Sequence, residues 1–170
     1  MVSIPETLSL VYHLSPILGQ KAGIISSVVP KVQDVAQEMI EIMKKEGGVG
    51  LSAPQVGISW RLFVTMDPGD LGGGVVWINP TVEKVVSKGF KSEIEGCLSL
   101  PGVQHRVRRA NVVRIKGFDE NGESIEKISS HPILARIWQH EYDHLNGVLI
   151  IDKGKKTVKK RGKKRKKKRG

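Results

Sequence analysis

The sequence predicts an α+β domain, in which antiparallel sheets pack around one helix from the second half of the chain and a further, amphipathic helix lies nearer the N-terminus. Three observations predict this class: a helical pattern near residue 40, a β-rich middle, and a second helical pattern near residue 140. The alternation of single strands and helices that builds parallel sheets is missing. With 170 residues, 39% of them apolar, the chain is long enough for one such core.

The first helix is predicted over residues 32–45. Apolar residues recur there at the spacing of one helical face, namely Val32, Val35, Ala36, Met39, Ile42 and Met43. Pro30 stands before the segment and two glycines follow it, which are start and stop signals for a helix. One face of this helix should therefore pack on the core.

The middle of the chain is predicted to form antiparallel sheet. Segments rich in β-branched and aromatic residues, broken by Pro and Gly, occur at 59–67, 74–80 and 81–87. Two further strand patterns, 107–118 and 124–128, flank a turn that contains Asn121 and Gly122. Because this pair can adopt positive φ angles, we expect a tight hairpin there.

The second helix is predicted to begin at Pro132 and to end just before Gly147. Ser129 and Ser130 can cap its start, Pro132 suits its first turn, and Gly147 suits the position after its end. Four residues spaced 4, 3 and 4 apart form one stripe along it: Ile133, Ile137, His140 and His144. Since that stripe should face the core, both histidines should point inward.

Residues 140–144, His-Glu-Tyr-Asp-His, match the H-E-x-x-H pattern. Histidines four residues apart on one helical face can present two imidazole nitrogens to a single divalent metal. Glu141 lies about 60° around the helix from His144, so its carboxylate can reach a water on the same metal and act as a base. The alternative is that both histidines only form hydrogen bonds within the core.

A third metal ligand has two candidates. Asp152 is the only acidic residue after His144, and as a ligand it would make the protein an H-E-x-x-H metalloendopeptidase. Cys97 lies upstream, and its thiolate is the stronger donor for borderline and soft divalent metals. A lone cysteine can also be a small buried hydrophobe. The residue pattern favours Cys97 and leaves Asp152 open.

The charge is divided unevenly along the chain. The net charge is +11, but residues 153–170 hold 13 of the 28 Lys and Arg and none of the 17 Asp and Glu, which leaves −2 on residues 1–152. We therefore predict one folded domain over 1–152 and a disordered basic tail over 153–170, where Val158 is the only aliphatic side chain. Such a tail suits phosphate contacts with ribosomal RNA. A nucleic-acid-binding protein without enzymatic activity is the non-catalytic alternative.

The cysteine count and the N-terminal residues indicate in which cellular compartment the protein is expected. Cys97 is the single cysteine, so folding needs no intramolecular disulfide. The N-terminal residues lack the pattern of a secretory signal or transit peptide, and no segment approaches the ~20 apolar residues of a membrane span. We expect a cytoplasmic, monomeric protein without a membrane partner.

Three blocks of sequence together resemble the peptide deformylase family. They are residues 48–55 (GVGLSAPQ), 95–99 (EGCLS) and 139–147 (QHEYDHLNG), and the family's patterns are GxGLAAPQ, EGCLS and QHExDHLxG. Each block alone is a weak or moderate signal, whereas the three in this order are specific. The resemblance spans residues 32–152, and Ser52 departs from it because the family more often has alanine there.

The resemblance implies a hydrolase that uses one divalent metal to remove the formyl group from formyl-methionyl nascent polypeptides, with release of formate. It implies three metal ligands: Cys97, His140 and His144. Fe²⁺ would be the native metal, with Ni²⁺, Co²⁺ or Zn²⁺ as substitutes. Glu141 would activate the metal-bound water. The side-chain amide of Gln55 and the backbone N–H of Leu98 would stabilise the oxyanion.

Two further groups of residues follow from the resemblance. The methionine side chain of the substrate would lie against Gly48, Val49, Gly50, Ile133 and Ile137. Glu95 and Arg109 would form an ion pair that locks the cysteine near the metal, and Asp143 would support the ligands from outside.

Overall fold

The computed structural model describes residues 4–66, 74–129 and 131–156. Within these residues the helices are α1 (Pro30–Lys45), α2 (Pro132–His144) and α3 (Ile150–Lys153). The strands are β1 (Gly50–Ser52), β2 (Leu62–Thr65), β3 (Val75–Lys84), β4 (Phe90–Glu95), β5 (His105–Ala110), β6 (Val113–Phe118), β7 (Ser124–Ser129) and β8 (Lys155–Lys156). Short 3₁₀ turns occupy Pro16–Gly19, Ala53–Val56 and Val86–Lys88.

The strands form two antiparallel sheets, which confirms the predicted mixture of helices with antiparallel sheet. Five strands pair in the order β1-β2-β3-β6-β7, and three pair in the order β4-β5-β8. The segments predicted at 74–80 and 81–87 form one strand, β3, whose register shifts between Ile78 and Thr81. The segment predicted at 107–118 forms two strands in different sheets, because the chain turns at Asn111, whose N–H bonds to the Gly89 carbonyl.

The turn between β6 and β7 differs from the predicted one. Gly122 has a positive φ of 79°, but Asn121 does not. The carboxylate of Asp119 instead accepts hydrogen bonds from the backbone N–H groups of Asn121 and Glu123, at 2.9 and 2.8 Å. The aspartate side chain therefore closes a turn that needs only one left-handed residue.

Helix α1 packs one face against the five-stranded sheet. Pro30 is its first residue, where the missing N–H costs no hydrogen bond. The buried side chains are Val32, Val35, Ala36, Met39, Ile40 and Met43. Ile40 is thus more deeply buried than the predicted Ile42, which is only partly buried against the same core. This cluster includes β-strand residues such as Leu51, Leu62 and Val76.

Helix α2 packs against strands of both sheets. Trp138 meets Trp77 of β3 edge to face, with ring centroids 5.4 Å apart. Of the two serines predicted to cap α2, Ser129 does not do so. The prediction is wrong for Ser129 because the helix begins at Pro132 and its N-cap is His131. The Ser129 hydroxyl donates to the His131 carbonyl at 3.3 Å instead. Ser130 lies outside the described residues.

The chain stays ordered beyond the predicted domain boundary at residue 152. Lys153 ends α3, and Lys155–Lys156 form β8 by pairing with His105 and Arg106 of β5. Backbone pairing needs no apolar side chains, which is why composition alone places the boundary too early. The rest of the predicted tail, 157–170, lies outside the described residues. Among the described helices, none has the length and hydropathy needed to cross a bilayer.

Candidate metal centre and active-site cavity

A cavity of about 620 Å³ lies between three parts of the chain that are far apart in sequence. The first is the glycine loop, defined here as residues 47–50. The second is β4 together with the cysteine loop, defined as residues 96–99, and the third is helix α2. The fold thus brings the three sequence blocks to one place.

Three metal-donor atoms converge beside this cavity. The ligand atoms of Cys97, His140 and His144 all lie within 4.8 Å of one another. His144 Nε2 is 3.3 Å from Cys97 Sγ and 3.2 Å from His140 Nε2. Donor atoms around one tetrahedral ion, with bonds of about 2.0–2.3 Å, lie roughly 3.3–3.8 Å apart. The geometry of these three side chains therefore fits a single metal ion.

The protonation of His144 also suits a metal ligand. Its burial, together with the neighbouring His140, lowers the pKa of His144 well below the ordinary histidine value. The imidazole is consequently neutral near pH 7, and a neutral imidazole is the form that binds metal.

Glu95, the last residue of β4, is held by three nitrogen-bearing side chains. Arg109 of β5 binds both carboxylate oxygens, with Nε 2.7 Å from Oε1 and Nη2 2.8 Å from Oε2. Arg136 of α2 also binds Oε1. His140 Nδ1 lies 3.0 Å from Oε2. When Nδ1 donates this hydrogen bond, the lone pair of His140 Nε2 is left for a metal.

The same contacts fix the charge on Glu95. Burial would raise its pKa, but the hydrogen bonds from Arg109 and His140 hold the pKa well below the ordinary range. Arg109 also binds Asp143, with Nη1 2.6 Å from Oδ2, and Lys153 contacts the other oxygen of Asp143. The structure thus places Glu95 against Arg109, and it places Asp143 against the far side of the same arginine.

Glu141 has the opposite environment. Its Oε2 is buried and has no hydrogen-bond partner among the described residues. Burial raises the pKa of Glu141 to about 7, against the attraction of His140 and Arg109. A carboxylate in this state can take up and release a proton near neutral pH.

Two glycines of the glycine loop make room for site residues. A Cβ on Gly50 would lie 2.5 Å from Glu141 Oε1, and one on Gly48 would lie 2.9 Å from Leu98 Cδ1. The absence of a Cβ at these two positions therefore gives space to Glu141 and Leu98.

Gln55 is buried and fixed at both ends of its side chain. Its Oε1 accepts hydrogen bonds from the backbone N–H and the hydroxyl of Ser52, both at 3.0 Å. Its Nε2 lies 3.3 Å from Ser99 Oγ and 3.5 Å from Cys97 Sγ. The amide nitrogen is thus directed toward the cysteine loop and the three metal donors.

The N-terminal segment bridges the two loops that hold this amide. The N–H of Val11 bonds to the Gln55 carbonyl, and the N–H of His13 bonds to the Ser99 carbonyl, both at 2.9 Å. The sequence carried no signal for this contact. Backbone hydrogen bonds of this kind do not depend on side-chain identity, so no motif could mark them.

The five predicted substrate-binding residues all line the cavity: Gly48, Val49, Gly50, Ile133 and Ile137. Val49 is 51% exposed and Ile133 is 61% exposed, whereas Ile137 is buried. The prediction that this stripe faces the core is therefore wrong for Ile133. This residue lies near the start of α2, where the helix borders the cavity instead of the core. Leu98 also lines the cavity.

Two α2 residues join the site although no role was predicted for them. Gln139 binds the Ala110 N–H at 3.0 Å and the Ala110 carbonyl at 2.9 Å, which fixes α2 to the end of β5. Arg136 binds Glu95 and also donates to the Val107 carbonyl at 3.1 Å. The available signal for Arg136 was its position four residues before His140, on the same helical face.

Asp152, the alternative third ligand, lies outside the donor cluster of the described residues. Its Oδ2 accepts a hydrogen bond from the backbone N–H of Leu149 at 2.8 Å, at the start of α3. The carboxylate is therefore used as a helix cap, and the structure contradicts its predicted alternative role as a ligand.

The fold and the site together define a class of protein. Two imidazoles and a cysteine sulfur lie together, beside a buried carboxylate that has one oxygen without a hydrogen-bond partner among the described residues, and they form the arrangement of a metal-dependent hydrolase.

Comparisons with known proteins narrow this class. The family model described as Polypeptide deformylase matches residues 7–160. The peptide deformylase of Borreliella burgdorferi is 44% identical over 145 residues, which are 85% of this chain and 86% of that protein. The crystal structure of the Thermotoga maritima peptide deformylase matches with a TM-score of 0.81 at 36% identity, over 89% of this chain and 99% of that chain. A Synechococcus elongatus peptide deformylase solved with actinonin matches with a TM-score of 0.81 at 35% identity, over 91% and 82% of the two chains.

The chain belongs to the peptide deformylase family. This membership confirms the predicted family and enzyme class, and it removes the alternatives of an endopeptidase and of a nucleic-acid-binding protein without activity.

Proposed function

We propose that this protein, as a peptide deformylase, hydrolyses the amide bond between the formyl group and the N-terminal methionine of nascent polypeptides. The products are formate and a free amino terminus. One observation carries the proposal: the donor cluster of Cys97, His140 and His144 adjoins a cavity that Glu141 and Gln55 also line.

The proposed metal ligands are Cys97, His140 and His144, and the proposed native ion is Fe²⁺, with Ni²⁺, Co²⁺ or Zn²⁺ as substitutes. One sulfur and two imidazole nitrogens suit these ions better than Mg²⁺ or Ca²⁺, which prefer oxygen ligands. When bound, the ion would polarise the formyl carbonyl and lower the pKa of a coordinated water.

Glu141 is the proposed general base and general acid. It accepts a proton from the attacking water and then donates that proton to the departing amine. Its burial supports this role, because the raised pKa places both protonation states within reach near neutral pH.

Gln55 and Leu98 are the proposed donors to the oxyanion. Attack on the formyl carbon turns its carbonyl oxygen into an anion, which the Gln55 Nε2 group and the Leu98 backbone N–H would stabilise. Gln55 is supported by the hydrogen bonds that fix its carboxamide, since a fixed donor needs no reorganisation during the reaction. Loss of one such donor typically costs about 3 kcal/mol of transition-state stabilisation.

The methionine side chain of the substrate is proposed to lie against Val49, Ile133 and Ile137, with Gly48 and Gly50 beside it. Val49 and Ile133 are the two exposed members of this set. When a thioether side chain covers them, their apolar surface is removed from water. Burial of that surface favours an apolar first residue in the substrate.

The direct test is formate release from formyl-Met-Ala-Ser. Protein purified without oxygen and loaded with Fe²⁺, Ni²⁺ or Co²⁺ should release formate, and a chelator should abolish the release. Acetyl-Met-Ala-Ser is the matched control and should not be cleaved, since its extra methyl group enlarges the acyl group. Absence of formate with all three metals contradicts the proposed function.

The metal ligands are tested by metal content rather than by activity. Cys97→Ser should lose bound metal on dialysis, whereas Asp152→Asn should retain the content of the unchanged protein. Equal metal content in both variants contradicts Cys97 as a ligand. The metal in protein purified without oxygen identifies the native ion.

The basic tail is proposed to bind ribosomal RNA and so to bring the enzyme to emerging chains. Two residues near its start, Lys155 and Lys156, pair with β5, and the exposed Arg106 and Arg108 lie on that strand. The neighbouring strand β4 lines the cavity. This placement supports a cationic surface on the same sheet as the proposed active site.

Deletion of residues 157–170 tests the tail without disturbing β8. The shortened protein should lose ribosome cosedimentation that is sensitive to salt, and it should keep its rate on a short formyl peptide. Unchanged cosedimentation contradicts the proposal. The predicted cytoplasmic location and monomeric state stay predictions.

A further inference from the structure

Ser52 is a buried hydroxyl that touches no metal donor but contacts the side chain of Gln55. It lies at the end of β1, is fully buried, and has its Oγ 3.0 Å from Gln55 Oε1. Its backbone N–H is also 3.0 Å from the same oxygen. Two donors from one residue thus meet one carboxamide oxygen.

The direction of these hydrogen bonds follows from the donors and acceptors present. The Ser52 hydroxyl carries one proton, and its oxygen lies 3.0 Å from Gln55 Oε1. The amide oxygen of Gln55 is an acceptor only, and it receives that proton. A carboxamide turned by 180° would place its NH₂ group against the Ser52 N–H, with donor facing donor. The backbone N–H therefore specifies one orientation of the Gln55 amide, and the hydroxyl adds a second hydrogen bond that holds the amide in it.

In this orientation the NH₂ group of Gln55 points away from Ser52. Its nitrogen lies 3.3 Å from Ser99 Oγ and 3.5 Å from Cys97 Sγ, on the side of the metal donors. A hydrogen bond accepted at the amide oxygen also polarises the amide and strengthens its N–H as a donor. The hydroxyl can thus act on the reaction although it does not contact the substrate.

We propose that Ser52 is a positioning residue for deformylation, which holds and polarises the Gln55 carboxamide so that its N–H meets the oxyanion. The proposal rests on the oxyanion role proposed for Gln55. Because the oxyanion develops only during the reaction, the hydroxyl should affect kcat and leave KM nearly unchanged.

The test compares Ser52→Ala, Gln55→Ala and the double variant in the metal-loaded enzyme. Ser52→Ala should lower kcat about fivefold, the effect of one net hydrogen bond, with KM within about twofold. In the Gln55→Ala background the same change should have no further effect, because the group that the hydroxyl orients is gone. Ser129→Ala, which removes another buried hydroxyl, is the matched control and should keep the kcat of the unchanged protein.

A second readout does not depend on turnover. In ¹⁵N-labelled, zinc-loaded protein, Ser52→Ala should shift the side-chain amide signals of Gln55, whereas Ser129→Ala should not. Ser52→Thr and Ser52→Val form a shape-matched pair that differs in the hydroxyl, so kcat should be higher for Thr than for Val. This pair decides the question if Ser52→Ala does not fold.

The outcomes separate this inference from the function on which it rests. If Gln55→Ala lowers kcat but Ser52→Ala does not, the positioning role is wrong and the oxyanion role of Gln55 stands. If Ser52→Ala lowers kcat equally with and without Gln55, the hydroxyl acts through the loop fold and the inference is overturned. If Gln55→Ala keeps the kcat of the unchanged protein, both ideas are wrong.

Discussion

Glu95 and Glu141 are two buried carboxylates of one site, and their surroundings give them opposite properties. Arg109, Arg136 and His140 bind Glu95, which holds its pKa well below the ordinary range. One oxygen of Glu141 has no hydrogen-bond partner in the part of the chain that the structure describes, and burial raises the pKa of Glu141 to about 7. The first carboxylate stays charged and positions its neighbours, and the second can exchange a proton. The difference shows that the role of each acid is set by its partners rather than by burial.

The largest expected effect is on catalysis at Glu141. Glu141→Gln keeps the shape of the side chain but cannot accept a proton, so kcat should fall at least about 1000-fold. Since the neutral amide replaces a buried carboxylate that has one oxygen without a partner among the described residues, the unfolding temperature should not fall. Formate release and thermal unfolding measure the two effects. A variant that loses metal as well as activity would show that Glu141 has a structural role instead.

Gly50→Ala should disturb the same carboxylate without changing its chemistry. The new Cβ would lie 2.5 Å from Glu141 Oε1, so the carboxylate must move. A displacement of about 1 Å can reduce the rate about 100-fold, and we expect a loss of that size in kcat. Gly48→Ala is the matched control, because its Cβ would meet the end of the flexible Leu98 side chain. Equal losses in the two variants would mean that the loop, not Glu141, is disturbed.

The fold could be predicted from the sequence where the periodicity is strong. The spacing of apolar residues locates α1, and the H-E-x-x-H spacing places both histidines on one side of α2. Strand β4 was missed because FKSEIE is mostly polar and alternates weakly. The turn at Asn111 was missed because strand patterns continue on both sides of it. Such boundaries depend on pairing with distant strands, which local pattern does not contain.

The sequence could predict which residues form the candidate site, but it could not predict the contacts and burial that set their pKa values. The H-E-x-x-H spacing points to His140 and His144, and the resemblance adds Cys97. The contrast between Glu95 and Glu141 could not be predicted, since it depends on Arg136, on the packing of Gly50, and on burial. These contacts join residues that are 41 or more positions apart, and their geometry appears only in the folded chain.

Glu95→Gln should disturb the second carboxylate of the comparison, the one that stays charged and positions its neighbours. The neutral amide leaves Arg109 without its buried counter-charge and weakens the hydrogen bond to His140. Removal of one partner from a buried ion pair typically costs about 3–5 kcal/mol, and we expect a loss of this size in the free energy of unfolding. Metal affinity should fall about 10–100-fold, because His140 is less well oriented.

Urea unfolding measures the stability of Glu95→Gln, and competition with a chelator measures its metal affinity. Glu93→Gln on the same strand is the matched control, since Glu93 forms an exposed ion pair with Lys91 at 2.7 Å. Its stability and metal affinity should equal those of the unchanged protein. If Glu95→Gln behaves in the same way, Glu95 does not position the ligands.

Arg136→Met should have the smallest effect of the series, because Arg109 still neutralises Glu95. The helix loses hydrogen bonds from Arg136 to Glu95, to the Val107 carbonyl and to the Lys91 carbonyl. Arg136 is partly exposed, so we expect a loss of about 1 kcal/mol in the free energy of unfolding, with kcat within about twofold. Arg109→Met, measured in the same urea series, should cost more, since it removes both bonds of the buried pair and leaves Asp143 with Lys153 alone of its two described cationic partners. Equal losses for the two arginines would mean that the stabilisation of Glu95 depends on the total positive charge around it. It would then not depend on the bidentate ion pair with Arg109.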